Sequence, residues 1–230
     1  MLFCPTKKQE NLPISIFIEG QPIEVLKETK FLGIILDNKL SWKPHIVYTT
    51  KKLSKSLGIL SRARKFLNQD ILKQLYYSFA YPYLIYCIVI WGHAPAASLW
   101  PLFRAQKRAI RIISNTKRRE STQPSSKKLR ILRLPELYTF AVLIFMFKFK
   151  HGSLPDIFNN FYTENSAFHH HATRGASNLR NPKTKTRIAT DFIKNTGVTL
   201  WNQYSPNLPL TLTIKAFKKE LVTILISSYI

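Results

Sequence analysis

Few side chains in this 230-residue sequence are arranged for covalent chemistry. The four aspartates, Asp37, Asp70, Asp156 and Asp191, lie far apart in the chain, and none belongs to a Tyr-x-Asp-Asp pattern. Phosphoryl transfer with two metal ions requires at least two carboxylates that converge on ions about 3.5–4 Å apart. Because no motif brings two aspartates together, we predict no catalytic residues and no small-molecule substrate.

The histidines and cysteines likewise predict no metal site and no cofactor. Residues 169–171 form a run of three histidines, but adjacent histidines without partners one helical turn away are typical of loops rather than zinc sites. Cys4 and Cys87 are too few for a zinc site or a disulfide framework, which fits a reducing compartment.

Positively charged side chains have a much clearer pattern. The sequence holds 35 Lys and Arg against 12 Asp and Glu, and residues 102–150 contain 13 of the basic residues but only 2 of the acidic ones. Four basic side chains fall within an arc of about 100° at helical spacing: Arg104, Lys107, Arg108 and Arg111. Phe103, Ile110 and Ile113 fall on the far side. One helix therefore offers an apolar face to a core and a cationic face to a negatively charged partner.

The most direct partner for such a face is the backbone of RNA or DNA, because Lys and Arg neutralise phosphates whatever the base sequence. We expect Lys117, Arg118 and Arg119 to extend the binding face. Trp100 and Phe103, close to Arg104, could stack unpaired bases. Two other interpretations fit the same charge. The basic face binds an anionic membrane surface, or it is simply a solvated surface of a protein with a different role.

Residues 76–91 are apolar enough to raise the question of a membrane span. Pro82 interrupts them, and they are shorter than the roughly 20 residues that a span needs. We therefore predict a buried helix pair, with Tyr76, Tyr77, Phe79, Tyr83 and Tyr86 in the core. Residues 1–12 show no basic segment followed by an apolar one, so we expect an intracellular protein, in the nucleus or the cytoplasm.

The periodicity predicts an α+β fold that is mainly α. Ile16 and Ile18 alternate with polar neighbours before a turn at Glu19-Gly20, and residues 31–36 have the pattern of a short buried strand. Helical spacing follows, with a stripe that consists of Leu53, Leu57, Leu60 and Leu67. The class is thus a small N-terminal sheet, then a helical bundle, then a C-terminal segment ending in a helix.

Capping residues and prolines predict the helix boundaries. Asn68 is a candidate N-cap, and Pro82 should kink or end that helix near Ala80. We predict a loop at residues 93–101 with Pro101 as its last breaker, the basic helix at 102–115, and an exposed loop at 116–128. A helix should begin near Pro135, a partly ordered connection should span 151–187, and a final helix should start near Thr213.

Taken in order, these segments resemble the C-terminal part of reverse transcriptases from non-LTR retrotransposons, the jockey-like and CR1-like LINE elements. The matching segments are KFLGIILD at 30–37, LSWKPHI at 40–46, LYYS at 75–78, YPYLIYC at 81–87, WG at 91–92, QKRAIRII at 106–113, LP at 154–155, TR at 173–174, WN at 201–202 and FK at 217–218. Their order and spacing cover nearly the whole chain.

The resemblance implies three regions: residues 1–45 as strands at the end of the palm, 46–150 as a helical thumb-like domain, and 151–230 as a loop-rich segment ending in a helix. In that family the thumb region grips template RNA and the primer–template duplex. The catalytic carboxylates of this RNA-directed DNA polymerase lie upstream, with the fingers, in a part that has no match here. The chain alone is therefore expected to bind nucleic acid and not to polymerise it.

One segment departs from the family pattern. Where the family carries His-Thr-x-Pro-Leu-Phe after the basic helix, residues 121–126 read STQPSS. An alternative to nucleic-acid binding is a degenerate or repurposed retroelement fragment that acts as a protein-interaction module or has no function.

Overall fold

A computed structural model describes residues 1, 3, 15–167, 178–208 and 213–229. Within them the chain is 61% helix, with two small antiparallel hairpins near its N-terminus, which confirms the predicted class. The strands are β1 (Ile16–Ile18), β2 (Gln21–Ile23), β3 (Glu28–Phe31) and β4 (Ile34–Asp37). The helices are α1 (Lys43–Ala63), α2 (Gln69–Phe79), α3 (Tyr81–Ile85), α4 (Ile88–Trp91), α5 (Ala96–Ser114), α6 (Gln123–Leu129), α7 (Leu134–Lys150), α8 (Arg187–Asp191), α9 (Ile193–Tyr204) and α10 (Ile214–Ser227).

Both hairpins close through two residues that have positive φ, the geometry that matches the right-handed twist of paired strands. Glu19-Gly20 closes β1–β2 as predicted. Leu32-Gly33 closes β3–β4, with φ of 45° and 83°, so the prediction of one buried strand over residues 31–36 was wrong. Leucine rarely adopts this conformation. Here the Tyr86 hydroxyl donates a 2.6 Å hydrogen bond to the Leu32 carbonyl and holds the turn in place.

The second hairpin is joined to the first helix by a buried carboxylate. Asp37, the last residue of β4, accepts hydrogen bonds at 3.0 Å from the backbone N–H groups of Ser41 and Trp42. Trp42 is the N-cap of α1 and has a φ of 63°. Its indole is buried. The short link between β4 and α1 therefore has a defined geometry.

Helices α1 and α5 pack along each other through their apolar stripes. Leu53, Leu57 and Leu60 of α1 are buried, as are Ile110 and Ile113 of α5. Leu67 is not part of this stripe, because α1 ends at Ala63. A second layer forms where α7 packs against α9 and α10. Helix α9 lies between the connection predicted at 151–187 and the helix predicted near Thr213. Its Trp201 is buried against the core.

Pro82 lies just after the end of one helix, whereas Pro101 lies within another. Helix α2 begins after the Asn68 cap and ends at Phe79, and Pro82 occupies the first turn of α3, as predicted. Pro101, predicted to end a loop, lies inside α5, which starts six residues earlier than expected at Ala96. Proline has no backbone N–H, so Pro101 does not donate the helical hydrogen bond to the Ala97 carbonyl. Ala97 is exposed, and water can solvate its carbonyl instead.

Two further boundaries follow the local signals, and one predicted loop does not. Helix α7 begins at Leu134 with Pro135 in its first turn, and the Thr213 side chain caps α10. The predicted loop at 116–128 instead contains most of helix α6, where Ser126 and Leu129 are buried. The run of three histidines and Cys4 lie outside the described residues.

The aromatic segment before α5 is only partly internal. Tyr76 is fully buried, but Tyr77, Phe79, Tyr83 and Tyr86 are exposed, which corrects their assignment to the core. Tyr77 and Phe79 lie on α2, Tyr83 lies on α3 and Tyr86 directly follows α3. These helices pack on the bundle through other residues, which include Leu72 and Leu84. Across the described ranges, no helix combines the length and the apolar character required to cross a membrane.

Candidate nucleic-acid interface

Helix α5 separates its apolar and cationic residues onto two faces, as the periodicity predicted. Arg104 and Arg108 are exposed, and Lys107 and Arg111 are partly buried. The opposite face is buried in the bundle through Leu102, Gln106, Ala109, Ile110 and Ile113. Packing on one side therefore holds the four cations in a row along the other side.

These cations line a groove of about 1070 Å³ between α5 and α1, which we call the basic groove. Six of the seven predicted residues line it: Arg104, Lys107, Arg108, Arg111, Lys117 and Arg118. Arg119 is exposed but does not line it. Arg64, at the C-terminus of α1, adds a seventh cation that the sequence pattern did not reveal. Among the described residues that line it, none is Asp or Glu.

The positive charge of the basic groove is not neutralised within the described part of the chain. The ion pairs seen there join Arg133 to Glu136, Lys150 to Glu164, and Arg187 to Asp191. None of them involves a cation of the groove. The groove is thus a concave surface of one sign, which concentrates anions from solution.

Among the cations of the basic groove, Lys107 lies against two aromatic rings. Its ammonium lies 4.5 Å from the ring centroid of Trp100 and 4.6 Å from that of Phe103. Burial lowers the pKa of Lys107, and the positive charges of Arg111, Arg133 and Arg104 lower this pKa further. An anion placed here would relieve that repulsion.

Arg111 connects α5 with the basic loop that follows it. Helix α5 ends at Asn115, whose φ of 53° turns the chain back. The Arg111 Nη2 then donates a 3.0 Å hydrogen bond to the Glu120 carbonyl. Its buried Nε has no hydrogen-bond partner. This contact places Lys117 and Arg118 at the end of the groove, so Arg111 has a structural role besides its charge.

The aspartates do not form a metal site. Asp37 accepts from the backbone N–H groups of Ser41 and Trp42, Asp156 accepts from Asn159, and Asp191 pairs with Arg187. In the parts of the chain that the structure describes, no group of three or more His, Cys, Asp or Glu side chains is placed to hold a metal ion.

Comparison of the chain with known protein families, curated proteins and solved structures finds no match.

Proposed function

We propose that this chain binds the phosphate backbone of RNA or DNA in the basic groove. One observation carries the proposal: among the described residues, seven cations line one concave surface without an acidic residue, and none of the seven is paired with a described carboxylate. Phosphates spaced along a nucleic-acid strand are the polyanion that suits such a row of charges.

The resemblance to the thumb region of non-LTR retrotransposon reverse transcriptases points to the same partner. The segment QKRAIRII at 106–113, which carries part of that resemblance, supplies three of the groove cations: Lys107, Arg108 and Arg111. On this proposal the chain contributes the grip on template or primer–template, while catalysis belongs to carboxylates outside the matching segments. The proposed function is therefore binding, without a chemical step.

The test compares two triple variants that lose the same charge from different surfaces. The groove variant is Arg104→Ala, Lys107→Ala and Arg108→Ala, which leaves Arg111 and its contact with Glu120 intact. The matched control is Lys215→Ala, Lys218→Ala and Lys219→Ala, on exposed positions of α10 outside the groove. Fluorescence anisotropy with labelled RNA and DNA, titrated over salt, gives the affinity and its salt dependence.

We expect the wild type and the control to bind with a steep negative slope of log K against log salt concentration. The groove variant should bind more weakly, and its slope should be shallower by about two to three, because each phosphate contact contributes roughly 0.7–0.9. Equal slopes for the two triple variants would refute the groove as the binding surface.

The first hairpin favours a second candidate function, that of a protein-interaction module. Phe17 and Ile18 of β1 are 60% and 62% exposed, and no residue of β1 or β2 is buried. Exposed apolar strands of this kind mark sites of association. Light scattering on the wild type and on Phe17→Lys tests this candidate function. If it is correct, the wild type forms an assembly and the variant does not. A wild type that is monomeric and binds nucleic acid would favour the basic groove.

A further inference from the structure

Trp100 differs from every other tryptophan in the chain. Its side chain is 49% exposed, whereas Trp42, Trp91 and Trp201 are exposed by 6%, 0% and 3%. An indole is large and apolar, so leaving half of it in water forgoes much of the stabilisation that burial would bring. The position of Trp100 therefore points to a role at the surface.

Trp100 lies in the wall of the basic groove, next to the cations. It lines the groove together with Arg104 and Lys107, and its ring meets that of Phe103 edge-on, with centroids 6.0 Å apart. The contact with Phe103 supports the indole within the first two turns of α5. An aromatic ring and a row of cations thus share one concave surface.

We propose that Trp100 is a stacking platform for an unpaired base, so that the basic groove takes single-stranded nucleic acid in preference to duplex. This inference rests on the proposed function. A cationic groove that follows the backbone, combined with an aromatic side chain on which a base stacks, is the arrangement that binds single strands without sequence preference.

A duplex cannot use this platform along its length, because its base faces are already stacked on one another. The groove cations can contact the phosphates of either form, but only an unpaired base presents a free face to Trp100. Lys107 does not obstruct such a base, since its ammonium is on a flexible four-carbon stem and can leave the ring for a phosphate. On binding, the contact between Lys107 and Trp100 is therefore replaced by a contact of Lys107 with a phosphate and a contact of Trp100 with a base.

Intrinsic fluorescence tests the contact directly, because Trp100 is the one exposed tryptophan of the four. The probes are a thymidine single strand of about a dozen nucleotides, within the usual site size of such grooves, and a blunt duplex of the same length. We expect the single strand to quench the emission as it binds, and the duplex to bind with little quenching. Trp100→Phe should bind the single strand without the quenching.

Trp100→Leu removes the ring and leaves every groove cation in place. We expect its affinity for the single strand to fall roughly five-fold or more, while its affinity for the duplex stays near that of the wild type. Circular dichroism confirms that the variant is folded, which a half-exposed position should allow.

The possible failures can be told apart. Steep, salt-dependent binding without quenching, or an equal loss for both probes in Trp100→Leu, would overturn the stacking platform and leave the proposed function standing. Absence of binding to either probe by folded wild type would overturn both.

Discussion

The side-chain oxygen of Gln106 accepts a hydrogen bond from the backbone N–H of Leu134 at 2.7 Å, which joins the basic helix to the first residue of α7. The Gln106 amide nitrogen donates to the Tyr76 hydroxyl at 3.1 Å and to the Leu132 carbonyl at 2.9 Å. Gln106 is fully buried, and its hydrogen bonds hold α2, α5 and the start of α7 together behind the basic groove. The position of the groove cations therefore depends on a polar contact in the core.

We expect Gln106→Leu to lower the free energy of unfolding by about 3 kcal/mol, because it leaves three buried polar groups without partners. Urea denaturation measures the change. Gln74→Leu is the matched control, since Gln74 is exposed on α2 and its side chain forms no hydrogen bond with another described residue. Equal unfolding midpoints for the two variants would show that the network does not stabilise the fold.

Two glycines should respond in opposite directions to the same substitution. A Cβ atom at Gly92 would lie 2.5 Å from the Ile88 carbonyl oxygen and 2.5 Å from Cδ2 of Tyr138, so Gly92→Ala should cost about 1–3 kcal/mol of stability. A Cβ atom at Gly58, inside α1, would meet open space. Gly58→Ala should therefore stabilise the protein by up to about 1 kcal/mol.

Thermal unfolding of both glycine variants measures these effects. One of the two contacts at position 92 is with the Ile88 backbone, which cannot move aside as a flexible side chain can, and the other is with the ring of Tyr138 on α7. A Gly92→Ala protein as stable as the wild type would contradict the close approach of α7 to the end of α4.

Two histidines should make stability depend on pH. His45 accepts a 3.3 Å hydrogen bond from the Ile35 N–H, and His93 accepts one at 3.3 Å from the Trp42 indole, so both rings need an unprotonated nitrogen. Burial lowers the pKa of His45 below the ordinary 6.5. Burial also lowers the pKa of His93, although the charge of Asp191 opposes the shift.

The sign of the effect follows from these directions. As pH falls below 6.5, the unfolded chain takes up protons that the folded chain resists, so stability is full above this pH and decreases below it. We expect the urea midpoint to be lower at about pH 5.5 than at about pH 7.5, a range in which most carboxylates stay ionised. The double variant His45→Gln and His93→Gln should show a smaller decrease. An unchanged pH dependence in this variant would exclude the two histidines as its source.

The sequence predicted the features that short-range physical chemistry controls. The spacing of the basic residues placed Arg104 and Arg108 on one face of a helix, whatever lay beside it. Asn68 and Thr213 cap their helices through hydrogen bonds that span only three residues, and Glu19-Gly20 closes a turn that its own conformation favours.

Predictions failed where contacts between distant residues override local preference. Leu32-Gly33 forms a turn because the Tyr86 hydroxyl, 54 positions away, hydrogen-bonds to the Leu32 carbonyl, and no local pattern reveals that contact. Pro101 remains inside α5 although it is a helix breaker by itself. The tyrosines after Tyr76 were assigned to the core because they are apolar, but which faces of α2 and α3 are covered depends on the packing of other helices.

The sequence by itself therefore determined that the chain has one strongly cationic helix face, since charge and helical period are local properties. Only the tertiary structure made that face a groove. Packing of α1 beside α5 supplied the opposite wall, brought Arg64 to the cations of α5, and left Arg119 outside. It also left Trp100 half exposed within that wall, because burial is decided by which helices meet and not by the residue type.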